Sequence, residues 1–307
     1  MTLYDTVVIG AGPGGMTAAM YAARSELKVL LLERGAPGGQ MNNTAEIENY
    51  PGYGTIMGPE LSMKMHEPLE GLGVENAYGI VQSVSVNPDG TKKITTEDAE
   101  FDTKTVIIAT GANHRHLGVP GEEEYGARGV SYCAVCDGAF FRNQEILVVG
   151  GGDSAVEEAL FLTRFGQSVT ILHRRDELRA QKIIQDRAFA NDKISFIWDS
   201  TVEEVLGNDM KITGVKIRNL KTGEITEKDF GGLFVYVGLD PMTETVQDLG
   251  ITDEAGWIIT DDHMQTAVEG IYAVGDVRQK DLRQITTAVG EGATAGQAVY
   301  KYITENA

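Results

Sequence analysis

The sequence predicts an α/β protein built from two Rossmann-like three-layer domains, one inserted into the other so that the outer domain is discontinuous. Three observations carry this prediction. The stretch LYDTVVIGAGPGGMTAAMYAARSELKVLLLER at 3–34 runs β-branched strand, glycine turn, Ala-rich helix, second strand. The same order returns 140 residues later in NQEILVVGGGDSAVEEALFLTRFGQSVTILHRR at 143–175. A last strand, Gly-Asp turn and long small-residue helix, GIYAVGDVRQKDLRQITTAVGEGATAGQAVYKYI, follow at 270–303. A complete second domain fits in 113–240, which leaves 1–112 and 241–307 to form the first. At 307 residues the chain is long enough for two ordinary domains.

Each glycine of the first loop has a separate reason. Gly10 permits the tight turn, Gly12 leaves the backbone open to a pyrophosphate, and Gly15 lets helix and sheet approach closely. The unpaired N–H groups at the helix start can then receive phosphate oxygens. Glu33 ends the second strand 23 residues after Gly10, where an acid can bond both hydroxyls of an adenosine ribose. Strand, loop, helix and spaced acid together read as a dinucleotide site for an unphosphorylated ribose, FAD or NAD.

In the second unit Gly150, Gly152 and Ala155 keep the fingerprint spacing, with a small residue at the third position. The position equivalent to Glu33 is His173, followed by Arg174 and Arg175, with Arg179 four residues on. Bases have replaced the acid. A carboxylate there would repel a 2′-phosphate, whereas guanidinium forks pair with it, so this site is expected to prefer NADPH. From 173 to 187 five Arg or Lys stand against three acids, a local net of +2. The alternative is a solvated helix whose arginines pair with Asp176 and Glu177. His173 can stack on adenine or merely end a strand.

Charge narrows the remaining classes. Lys and Arg number 26 against 45 Asp and Glu, a net charge of −19, which argues against general binding to a nucleic-acid backbone. No apolar stretch reaches the length of a membrane span and no basic leader precedes the first strand, so a cytoplasmic, soluble protein is expected. The two cysteines, Cys133 and Cys136, stand in SYCAVCDGAFF. Two residues between thiols allow a disulfide that opens and closes, and redox chemistry is the first reading. A four-cysteine metal site would need a second pair from another chain, and no metal site is expected. Asp137 directly follows Cys136 and can exchange a proton with a departing thiolate, or else cap the turn that Gly138 permits.

The other segments read more plainly. TKKITTEDAEFDTKTVIIATGANHRHLGVPG gives a hairpin, a buried strand and a turn at Gly111, and FGGLFVYVGLDP closes the second unit in the same way. Asp276 can bond a cofactor oxygen through water or cap its turn. His114 and His116 read as linker residues, Trp198 and Trp257 as isolated packing residues, and the acids at 122–124 as a solvated turn.

These motifs in this order carry a family resemblance. GAGPGG at 10–15, PGGQM at 37–41, ENYPG at 48–52, ATG at 109–111, CAVCDG at 133–138, GGGDSAVEEA at 150–159, HRRDELRA at 173–180, GDV at 275–277 and RQITTAVGEG at 283–292 make the chain resemble bacterial-type low-molecular-weight thioredoxin reductases along nearly its whole length. The resemblance implies FAD in the outer domain, NADPH in the inserted one, a homodimer and thioredoxin as partner. Matching positions imply FAD contacts from Gly10, Gly12, Pro13, Gly14, Gly15, Glu33, Gly39, Gln40, Asn49, Asp276, Arg283, Gln284 and Ile285. Gly150, Gly152, Asp153, Ser154, Ala155, His173, Arg174, Arg175 and Arg179 inherit the NADPH role.

The resemblance also implies that Cys136 faces the flavin, that Cys133 attacks the partner disulfide, and that Asp137 is the proton donor. Residues 111–118 and 237–241 are then paired hinges about which the inserted domain rotates. Tyr236 departs from the family pattern, standing where a smaller or apolar residue is common. Other readings remain at this point: a reductase of a glutaredoxin-like or another thioredoxin-like protein, a flavin-bound redox sensor, or a dimer-bridging Cys-metal module.

Overall fold

The computed structural model describes residues 2–44, 46–126 and 128–306, with Val135 described in its backbone alone. The chain divides into two units, 1–113 with 240–307, and 114–239.

In the first unit Leu3–Ile9 lies between Val29–Glu33 and Glu100–Ile108, parallel to both. Glu75–Tyr78 extends the sheet on one side. On the other, Ile271–Ala273 pairs in parallel with Val106–Ile108, so the C-terminal segment returns to the sheet that the N-terminus began. The hairpin partner of Glu100–Ile108 is Lys92–Thr96, which pairs in turn with Val81–Val86, both antiparallel.

The central strand is buried on both faces, as its unbroken apolar run requires. Val8, Leu31 and Ile107 face the helices Pro13–Arg24 and Ile285–Glu305, while Val7, Ile9, Leu30 and Ile108 face Val84 and Ile94 of the meander. The two helices meet through small residues: a Cβ on Gly292 would lie 2.3 Å from the Gly14 carbonyl oxygen. Such close backbone approach is what the Ala- and Gly-rich composition of both helices provides.

The second unit has a five-stranded parallel sheet in the order Val130–Ser131, Gly232–Tyr236, Glu145–Gly150, Ser168–Leu172, Ile194–Ile197. One face packs on the helices Asp153–Leu162 and Lys182–Phe189. Beneath the other lies an antiparallel meander of Ser200–Gly207, Ile212–Asn219 and Ile225–Asp229. Each unit is therefore helix, parallel sheet and meander in three layers. No helix among the described residues is long and apolar enough to cross a membrane.

The acids at 122–124 are not a uniform solvated turn. Glu122 is only 2% exposed. Its carboxylate accepts the backbone N–H groups of Leu117 and Gly118 at 2.8 and 2.7 Å and the Tyr132 hydroxyl at 2.7 Å. Three donors replace the water it gave up, which is the condition for burying an ion. The Tyr132 hydroxyl also lies 3.0 Å from His116 Nδ1, so this histidine is tied into the same cluster.

Candidate active site

Cys133 and Cys136 form a disulfide with Cα atoms 5.4 Å apart. The bridge spans the short helix Ala134–Asp137, for which Cys133 is the N-cap. Its sulfur accepts the Cys136 N–H at 3.1 Å, a donor that would stabilise a Cys133 thiolate once the bridge opens. Cys136 is the exposed member and Cys133 the half-buried one, so exposure alone does not single out the attacking sulfur.

Asp137 does not cap its turn. Its carboxylate reaches back to accept the Ser131 hydroxyl at 2.7 Å, while Ser131 Oγ also accepts the Cys133 N–H at 3.1 Å. The acid is thereby held on the cysteine turn. Gly138 has an ordinary helical φ of −54°, so it is not needed for the turn. Glycine serves proximity instead, since a Cβ there would stand 3.1 Å from Leu162 and 3.2 Å from Phe165.

In the same unit the second glycine loop joins Glu145–Gly150 to Asp153–Leu162. Gly150 has a φ of +151°, and a Cβ on it would lie 2.4 Å from the Tyr236 carbonyl oxygen. Gly152 faces open space and Ser154 is exposed beside it, which leaves the helix N-terminus open to a phosphate. Ala155 is buried against Gly150. Asp153 spends its carboxylate on the Gln181 N–H and side-chain amide, at 2.7 and 3.0 Å, so it braces the next helix.

Partner choice distinguishes the residues of the basic cluster. Arg174, Arg175 and Arg179 are exposed, and among the described residues none has an acid partner. Asp176, the expected local partner, turns instead to Lys221 at 3.4 Å. The Arg179 N–H donates to the Gly151 carbonyl at 2.7 Å, which seats this arginine beside the glycine loop. His173 is buried at 4% exposure with its ring behind Gly151, where a Cβ would meet it at 2.5 Å. Burial and the three arginines hold its pKa below the usual value, so it packs under the loop as a neutral imidazole.

In the first unit Gly10 has a φ of +104°, and a Cβ would stand 2.4 Å from the Ala109 carbonyl oxygen. Gly15 is tighter still, at 1.9 Å from the Gly10 carbonyl, whereas Gly12 faces open space. Pro13 and Gly14 begin the helix behind the loop. Glu33 Oε2 accepts the Ala11 N–H at 2.7 Å and Oε1 accepts Arg34 and Gly35 N–H groups, which fixes the acid next to the loop. A cavity of about 190 Å³ is lined by Ala11, Glu33, Gly35, Pro37, His66 and Tyr78 among others.

Distant candidates of this unit also meet. Asn49 donates to the Gln284 side-chain oxygen at 3.1 Å across 235 residues. Gln40 donates to the Ala112 carbonyl, and Gly39 lies beside Gly12. Gln284 caps the last helix, which starts at Ile285, through a reciprocal bond with Thr287. Arg283 is a brace: its guanidinium donates to the Asp276 and Arg278 carbonyls and stacks 3.6 Å from the Trp257 ring centre. Trp257 is therefore not isolated, and neither is Trp198, which stacks on Phe196.

Among the described residues Asp276 Oδ1 is buried with no hydrogen bond, its nearest cation being Lys280 Nζ at 3.8 Å, and burial pushes its carboxyl above the usual range against the pull of Lys280 and Arg283. A buried oxygen awaiting a donor fits a cofactor hydroxyl or a water carried with it. The glycine cradle of each unit fits a dinucleotide pyrophosphate, and in the first unit Glu33 and the buried Asp276 oxygen fit the rest of an adenine dinucleotide.

Two glycine cradles and a cysteine bridge on the same unit as one of them define a nucleotide-dependent disulfide oxidoreductase. Residues 4–292 match the pyridine nucleotide-disulphide oxidoreductase family. The chain is 55% identical over 303 residues to a Listeria monocytogenes thioredoxin reductase, covering 99% of this chain and 95% of that protein. A crystal structure of Lactococcus lactis thioredoxin reductase superposes with a TM-score of 0.97 at 76% identity, covering 98% and 99% of the two chains. That of T. acidophilum thioredoxin reductase gives 0.94 at 35% identity, covering 98% and 99%. The chain belongs to the low-molecular-weight bacterial-type thioredoxin reductase family, whose fold indicates FAD and NADPH binding.

Sequence reasoning passed over Glu158. Among the described residues its Oε2 is buried without a partner, and burial, then the neighbouring Glu157 charge, pushes its pKa up to about 8 from 4.5. A carboxyl whose folded pKa is raised adds stability that is complete below pH 4.5 and lost as pH rises towards 8. The loss between pH 5 and 8 is expected to be on the order of a few kcal/mol, roughly 5 °C in Tm. Glu158→Gln, which stays neutral, should flatten that part of the Tm–pH curve; a variant that tracks the wild type would show that Glu158 is already ionised at pH 5.

Proposed function

We infer that this enzyme reduces the disulfide of thioredoxin with electrons from NADPH, passed through FAD and the Cys133–Cys136 pair. The observation that carries the reading is the disulfide on the same unit as a glycine loop flanked by three arginines that have no acid partner among the described residues. In the first unit Gly10, Gly12, Gly15, Glu33, Asn49, Gln284 and Asp276 hold FAD. In the second, Gly150, Gly152 and Ser154 take the pyrophosphate of NADPH, and Arg174, Arg175 and Arg179 take its 2′-phosphate.

FAD, when bound, supplies the two-electron relay between the pyridine nucleotide and the cysteine bridge. The protein does the thiol chemistry. Cys133, its thiolate favoured by the Cys136 N–H, attacks one sulfur of the thioredoxin disulfide and forms a mixed disulfide, releasing the other sulfur as a thiol. Cys136 then attacks Cys133, which re-forms the bridge and frees dithiol thioredoxin. Asp137, held by Ser131, moves the proton that Cys136 gains and loses.

The inserted unit turns about its two crossings to serve both exchanges. Gly111, Gly118 and Gly238, all at positive φ, supply the freedom there. The functional form is a homodimer.

Anaerobic NADPH should bleach the flavin absorbance of the FAD-loaded protein, and oxidised thioredoxin should restore it. Cysteines that stay oxidised after NADPH addition would remove the relay.

A further inference from the structure

Tyr236 ends the Gly232–Tyr236 strand, and its main chain is the wall against which Gly150 must be a glycine. Its side chain packs against the helix-side core of this unit. The hydroxyl accepts the N–H of Ala134 at 3.1 Å, the first amide of the helix that carries the disulfide, and Ala134 is fully buried. No earlier turn of helix exists to take that N–H, so without the hydroxyl it would be a buried donor lacking its partner. The ring is also fixed, standing edge-on to His114 with centres 5.8 Å apart. Burial, with the charges of Glu158 and Asp137, keeps the hydroxyl protonated well above its ordinary range, so it stays a neutral oxygen at every working pH.

We propose that Tyr236 is a positioning residue for the cysteine pair: by holding Ala134 N–H it fixes the first turn of the helix, and so keeps the Cys136 N–H aimed at the Cys133 sulfur. That amide is the donor that favours the Cys133 thiolate. Removing the phenol oxygen loosens the turn, weakens this hydrogen bond and raises the Cys133 thiol pKa. The inference rests on the redox reading of the pair, but its test needs neither NADPH turnover nor thioredoxin. The other ionisable groups about the turn are Asp137 on it, Tyr132 before it, Glu158 on the neighbouring helix and His114 against the ring. Tyr236→Phe keeps them all, together with the ring packing.

The chain has only two cysteines, so Cys136→Ser leaves Cys133 as its single thiol. The FAD-loaded C136S protein and its C136S/Y236F counterpart would be alkylated with iodoacetamide between pH 5 and 10. The phenylalanine variant should show its rate midpoint about half to one unit higher, with reaction roughly three- to tenfold slower at low pH and the same plateau at high pH. Superimposed profiles would overturn the proposal, as would an unchanged midpoint with a lower plateau, which reports access alone. If the variant does not accumulate as folded protein, amide exchange in the wild type decides. Ala134 should be protected as strongly as a central strand, and fast exchange at Ala134 would overturn the assignment.

Discussion

Replacing Cys133 with Ser should abolish NADPH-dependent reduction of thioredoxin, with kcat falling by about 10³-fold or more, while NADPH still bleaches the flavin. The reasons are chemical. A serine hydroxyl is a far weaker nucleophile than a thiolate near neutral pH, and without a second sulfur no intramolecular bridge can form to accept the electron pair. The loss should fall on kcat and not on the affinity for NADPH, because Cys133 lies on a turn apart from the basic cluster in sequence and in hydrogen bonding. Turnover that persisted at the wild-type rate would reject Cys133 as the attacking sulfur. The same measurement on Cys136→Ser separates the two thiols. If a mixed disulfide with thioredoxin accumulates in that variant, Cys133 attacks and Cys136 resolves.

Replacing Arg174 and Arg175 together with Ala should raise KM for NADPH by about 10²-fold and leave KM for NADH within about twofold. Each charge-assisted hydrogen bond to the 2′-phosphate is worth about 1.5–3 kcal/mol, and two lost bonds correspond to a factor of this size. NADH has a hydroxyl where NADPH has the phosphate, so it forfeits little. The structure makes the contrast testable, because Asp176 is drawn to Lys221 and, among the described residues, no acid pairs with the guanidinium groups. Equal losses for both nucleotides would mean that the arginines support the loop and do not read the phosphate.

The glycine loops, Glu33 and the cysteine pair were legible because their chemistry lies within short contiguous segments. Gly10 and Gly150 occupy positions where a Cβ would strike the backbone at the end of a neighbouring strand, and Glu33 reaches Ala11 because a strand, a helix and a strand bring positions 22 residues apart side by side. Other residues were read differently from sequence than from the fold. Glu122 reads as solvated from EEE, yet Tyr132 and two backbone amides bury it. His173 reads as a nucleotide platform or a strand end, yet it is packed behind Gly151. Asp153 sits in the fingerprint but spends its charge on Gln181.

Sequence by itself determined the two glycine cradles, the acid beside one and the bases beside the other, and the CxxC, since spacing along one strand–turn–helix unit fixes which backbone and side-chain groups stand at the loop. Tertiary structure alone decided which acid the arginines lack, where Asp137 turns, and that Tyr236 takes the Ala134 amide. Those outcomes are competitions among hydrogen-bond partners 6 to 102 residues apart, and a polar group resolves such a competition only when packing has removed water and fixed which partner is within reach.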